Sequence, residues 1–120
     1  MNKFIANTNK ENLYKDYLLT INNVLHLTER QIDVLALLMY IDDNHDKFTV
    51  KTKDIISTEC RRYICNKLGI LNCNLSAYIK SFKKKCIIQS YKRSNFVKKD
   101  LMPLLIKDRL QITIIMKIDA

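Results

Sequence analysis

Residues 57–91, STECRRYICNKLGILNCNLSAYIKSFKKKCIIQSY, decide the fold, because they hold two helical repeats separated by one break and end in a β-favouring run. Ile64 and Leu68 recur at helical spacing and stop at Gly69, the only glycine of the chain. Glycine takes the left-handed conformation that ends a helix at little cost, so the first helix is predicted to finish there. Asn72 or Asn74 is then available to cap a second helix, in which Leu75, Tyr78, Ile79 and Phe82 form an apolar stripe at i, i+3, i+4 and i+7. Its other face carries Asn74, Ala77, Lys80, Ser81, Lys83 and Lys84, which are polar, small or basic, as a helix lying in a DNA groove requires.

The run KLGILNCNLSAYIKSFKKKCII (67–88) resembles the second half of a winged helix-turn-helix module, with its LGI turn, recognition helix, KKK and β-branched pair opening a wing. It is similar to MarR-like and related bacterial and phage regulators, and LTERQIDVLALLMYI (27–41) resembles the helix that opens many such domains. The resemblance spans roughly Leu27 to Tyr91. It implies an α+β winged helix-turn-helix with an extra N-terminal helix, a C-terminal β-strand pairing in the wing, and double-stranded DNA as partner. Winged helices also serve as protein–protein modules, so the fold alone does not assign the function.

Working outward, residues 1–10 are polar and asparagine-rich and are expected to form an arm, leaving 11–120 as one domain, with the helix-turn-helix at about 57–85 and the wing at about 86–118. From Glu11 to Leu25, Leu13 or Tyr14, Tyr17, Leu18, Ile21, Val24 and Leu25 fall on one helical face. Thr28 with Gln31 three positions on fits a capping box, and Ile32, Leu35, Ala36, Met39 and Tyr40 follow as a buried stripe. Residues 42–46 read as a solvated acidic turn. The aspartates lack the glycine and distant glutamate of a calcium loop. Phe48 to Lys51 suits a short strand.

Beyond the second helix, Cys86 to Tyr91 reads as a strand, with Lys92 to Asn95 a turn and Phe96 to Lys98 one candidate partner. Leu110 to Ile118 alternates more fully, so the expected wing pairs Cys86–Tyr91 with Leu110–Ile118 around a long basic tip. Pro103 within that tip should push Met102 to extended backbone. A tip of this length departs from the compact wing of the common regulators.

The chain carries 21 lysines and arginines against 12 acids, a net charge of +9, which favours a polyanionic partner. AT-rich coding DNA would also raise Lys, Asn and Ile, but it does not explain why Lys80 to Lys99 holds eight cations and no acid. With 48% hydrophobic residues a core needs no covalent staples. Cys60, Cys65, Cys73 and Cys86 have gaps of 5, 8 and 13 residues, so no CxxC zinc knuckle is present, and they read as reduced core hydrophobes. His26 and His45 stand alone. The longest apolar stretch, Val34 to Ile41, is far short of the ~20 residues of a membrane span, and residues 1–10 lack a signal h-region. A cytoplasmic location is expected.

No phosphate loop, nucleophile elbow or HExxH motif occurs, so a non-enzyme without cofactor or metal is expected. In the DNA reading, Asn74, Ala77, Lys80, Ser81 and Lys84 face base edges, while Arg61, Arg62, Lys83, Lys85, Lys92, Arg93, Lys98 and Lys99 hold phosphates. A homo-oligomer is expected, formed through Tyr14, Tyr17, Leu18 and Ile21 or through the wing tip. The alternative is a structural or adaptor protein, such as a phage virion component, docking through the apolar segment Leu101 to Ile106.

Overall fold

The computed structural model describes residues 12–44, 53–106 and 109–111, with side chains over 12–44 and 53–103. Along these residues run the helices α1 (Leu13–Leu25), α2 (Glu29–Asp43), α3 (Thr58–Leu68) and α4 (Asn72–Lys84). They are followed by strands β1 (Ile88–Tyr91) and β2 (Ser94–Val97), a 3-10 turn at Lys99–Leu101, and strands β3 (Leu104–Ile106) and β4 (Arg109–Gln111). The class is α+β. The expected arm, the strand at 48–51 and residues 112–118 lie outside the described residues.

Thr28 begins the helix on which the rest packs. Its hydroxyl accepts from the Gln31 backbone N–H at 3.3 Å, and the Gln31 side chain accepts from the Thr28 N–H at 2.9 Å, closing both halves of the capping box. The α2 helix buries Ile32, Val34, Leu35, Ala36, Leu38, Met39 and Ile41, a wider belt than the stripe expected from the sequence. A helix with so wide an apolar belt is a central one. It is covered by α1 on one side and by α3, α4 and β2 on the others.

Helix α1 runs antiparallel to α2. The Tyr14 hydroxyl near its start donates to the Asp43 carboxylate at the end of α2, and Lys15 pairs with Asp33 at 3.0 Å. Tyr14, Tyr17 and Leu18 are buried in this contact, and Ile21 packs partly against the same core, so the first of the two surfaces expected to join copies is committed within one chain. Val24 departs from the expected face and is 64% exposed.

Gly69 ends α3 in the left-handed conformation, φ 64°, with its N–H and that of Ile70 both bonded to the Cys65 carbonyl. Asn72 and Asn74 are not the cap of α4. Leu71 takes the N-cap position and Asn72 is the first helical residue. The stripe holds: Leu75, Ile79 and Phe82 are buried and Tyr78 partly so. At the other end Cys86 takes φ 62°, its N–H bonding the Lys83 carbonyl and that of Ile87 the Phe82 carbonyl, which turns the chain from α4 into β1. Cys86 is therefore an exposed turn residue rather than the first residue of a strand, and Cys73 is exposed as well; Cys60 alone of the four thiols is fully buried.

The hairpin differs from the expected wing. β1 pairs with β2, in register Ile88↔Val97 to Tyr91↔Ser94, through the two-residue turn Lys92–Arg93. Both turn residues have positive φ, 49° and 66°, which is the geometry that matches the twist of two antiparallel strands. Described residues of the expected partner strand, Leu110 and Gln111, pair instead with β3, in register Leu104↔Gln111. The basic tip thus shrinks to two residues. Met102 is extended before Pro103, as expected, and Leu101 and Met102 pack partly against the core, which withdraws both from the proposed apolar docking segment.

Candidate nucleic-acid interface

Helix α4 is seated by its buried stripe, and the opposite side faces solvent. Asn74, Ala77, Lys80, Lys83 and Lys84 are exposed and Ser81 is half-buried. At roughly 100° per residue, Ala77, Lys80 and Lys84 cluster at the outermost line, with Asn74 and Ser81 along one edge. Cys73 shares the outermost line, a position the sequence reading assigned to the core. Lys83 stands on the other flank, in line with Ser76.

Ser76 identifies that flank as the one facing α3, because its hydroxyl accepts from the Arg61 guanidinium at 2.8 Å. The same Nη1 reaches Asn72 Oδ1 at 3.4 Å, and Arg61 Nε donates to the Ile56 carbonyl at 3.0 Å. Arg61 is thus a strut between the start of α3 and the start of α4, and not the free phosphate hand expected. Arg62, one residue on, is exposed. At the hairpin tip Lys92 lies over the Tyr91 ring, 5.4 Å from its centroid, and Lys92, Arg93, Lys98 and Lys99 are all exposed.

The hairpin is held by polar groups distant in sequence. Asp42, read from the sequence as part of a solvated turn, is 6% exposed at the end of α2. Its Oδ2 accepts from the Val97 N–H at 2.9 Å and its Oδ1 from Lys53 Nζ at 2.5 Å. The Ser94 hydroxyl donates to the Lys53 carbonyl at 2.7 Å, Asn95 Nδ2 to Asp54 Oδ1 at 3.0 Å, and the Ile55 N–H to the Asn95 carbonyl at 3.3 Å. Asp54 Oδ1 also accepts from the Ile56 N–H, one residue before Ser57, whose hydroxyl caps α3. None of these roles was read from the sequence, because each partner lies 41 to 55 positions away or belongs to a loop. Beside this cluster is an open cleft of about 670 Å³ whose walls include Tyr91, Phe96, Met102 and Pro103, with Lys53 and Lys99 among its polar groups.

Electrostatically the face is uniform: from Cys60 to Lys99 the chain contains no Asp or Glu. The perturbed groups lie elsewhere. Burial, aided by the Asp43 carboxylate that accepts its hydrogen bond, raises the Tyr14 phenol well above its ordinary range, and burial raises Tyr17 and Cys60. Among the described residues no cluster of histidine, cysteine or acid could hold a metal, and no helix is long and apolar enough to cross a membrane. No protein-family model matches the chain, and neither a curated protein nor a solved structure matches it.

Proposed function

We propose that this chain is a non-enzymatic double-stranded DNA-binding protein of the winged helix-turn-helix type, with α4 as the recognition helix and the β1–β2 hairpin as the wing. The observation that carries the reading is the outer side of α4: Asn74, Ala77, Lys80 and Lys84 exposed together, opposite buried Leu75, Ile79 and Phe82, on a stretch without acids. Asn and Lys can pair with adenine and guanine edges in the major groove, and small Ala77 permits close approach. Arg62, Lys83, Lys85, Lys92, Arg93, Lys98 and Lys99 supply phosphate contacts. Arg61 acts from behind by fixing α4 on α3.

Each neutralised phosphate contributes roughly −0.9 to the slope of log affinity against log salt. Changing Lys83 and Lys84 to Ala is expected to weaken binding to every duplex and flatten that slope by about two units. Asn74→Ala or Lys80→Ala is expected to cost about 1–3 kcal/mol mainly on a preferred site. A titration that detects no binding at low salt, or binding indifferent to the double lysine change, would return the chain to the protein-docking class. The reading includes pairing of two copies, which sets recognition helices about 34 Å apart on DNA. Sedimentation as a 14.2 kDa species alone would remove the pairing.

A further inference from the structure

We propose that Asp42 is the positioning residue of the wing: its buried carboxylate ties the last turn of α2 to the outer edge of β2 and so fixes where Lys92 and Arg93 stand relative to α4. The proposal rests on the DNA reading for its consequence, but the tie itself is a matter of structure. Asp42 is the one charged side chain buried among the described residues. A buried carboxylate is tolerated only when its oxygens are satisfied, and here the two are divided between different parts of the chain, Val97 of the hairpin and Lys53 of the segment that enters α3.

The geometry of β2 explains why that division matters. Lys98 N–H bonds the Ile87 carbonyl across the hairpin, so the Val97 N–H points the other way, to the open edge of the strand. Two residues earlier, Asn95 turns its carbonyl to the same edge, where the Ile55 N–H meets it, and Asp54 forms an isolated parallel bridge with Asn95. The edge of β2 is therefore closed from both ends: by residues 53–55, which lead into the helix-turn-helix, and by Asp42, which belongs to the central helix. The strand from Val97 to Arg93 is a lever of about 13 Å, so a swing of roughly 15° at its base would carry the tip roughly 3 Å, enough to lose a phosphate hydrogen bond. A group that only stabilised the fold would leave the contribution of the tip to DNA binding unchanged; a group that aims the wing makes that contribution depend on it.

The test is a double-mutant cycle on the full chain, with binding to a 20-base-pair duplex followed against salt, a length of about two helical turns. Asp42→Asn preserves shape and one acceptor while removing the charge, and Asp42→Ala removes both; should the alanine variant fail to fold, the asparagine variant carries the measurement. In the wild-type background, changing Lys92 and Arg93 to Ala should flatten the salt slope by about two units, about a tenfold affinity difference across a fourfold change of salt. In the Asp42→Asn background the same pair should have less than half that effect, and the Val97 amide should exchange with solvent faster. An equal slope loss in both backgrounds overturns the proposal, as does a Val97 amide equally protected in both. Absence of duplex binding by the wild-type chain fails the DNA reading and takes the coupling with it. Val97 exchange, measured without DNA, separates that failure from failure of the tie.

Discussion

Arg61 and Arg62 are adjacent in sequence and opposite in use. Arg61 makes three hydrogen bonds that join Ile56, Asn72 and Ser76, whereas Arg62 is exposed. Arg61→Ala is expected to lower stability by about 1–2 kcal/mol, since bonds from a charged donor are worth more than neutral ones. Lysine should not rescue it, because an ammonium lacks the planar fork that reaches two acceptors. Arg62→Ala should stay within about 0.5 kcal/mol of wild type in a urea titration and, on the proposed DNA reading, reduce the salt slope of duplex binding by about one unit. Thr28, Gln31 and Gly69 were readable from the sequence because their partners lie within four positions. Arg61 and Asp42 were not, because nothing local reveals a partner 15 or 55 residues away.

Among the elements, the α4 stripe was legible from spacing alone, and so was the break before it. The wing was not. Hairpins with two-residue turns are recognised by Asn-Gly or Asp-Gly, and this one is made by Lys92–Arg93, two side-chained residues at positive φ. Without that signal the more regular alternation of 110–118 took the partner's place. Left-handed backbone costs a side-chained residue roughly 1–2 kcal/mol, so Lys92→Asn with Arg93→Gly should raise stability by about 1 kcal/mol. The same pair of changes removes two cations. On the proposed DNA reading, duplex binding should weaken while the urea midpoint rises, a divergence that separates conformational ease at the tip from its charge.

At the scale of the molecule, charge and tyrosine burial set the response to alkali. Burial, and for Tyr14 the Asp43 carboxylate, raises the Tyr14 and Tyr17 phenols above their unfolded values. Above pH ~10 the unfolded chain releases these protons while the folded chain retains them, so the folded state binds more protons and stability falls as pH rises. The stabilisation is whole below that pH and lost progressively above it. Tyr14→Phe should make the decline between pH 10 and 12 shallower, as followed by helical circular dichroism, because one of the two linked protons is gone. Net charge was readable from composition; the full width of the buried belt of α2 was not, since the periodicity of Ile32, Leu35, Ala36 and Met39 suggested a narrower stripe.

That central placement of α2 governs how the chain comes apart. The helices α1, α3 and α4 and strand β2 each lean on α2, while Tyr40 contacts the Tyr14 ring of α1 edge-on and the Tyr63 ring of α3 in a stack. No element can leave without uncovering part of the apolar belt of α2, so partial melting stabilises nothing that remains. Unfolding should therefore be all-or-none. With no tryptophan in the chain, emission comes from the tyrosines, of which Tyr14, Tyr17, Tyr40 and Tyr63 lie in α1, α2 and α3, while far-ultraviolet dichroism reports the helices as a whole. Thermal transitions followed by the two signals should share one midpoint; tyrosine emission that changes well before the helices melt would mean that α1 peels away from a core able to survive without it.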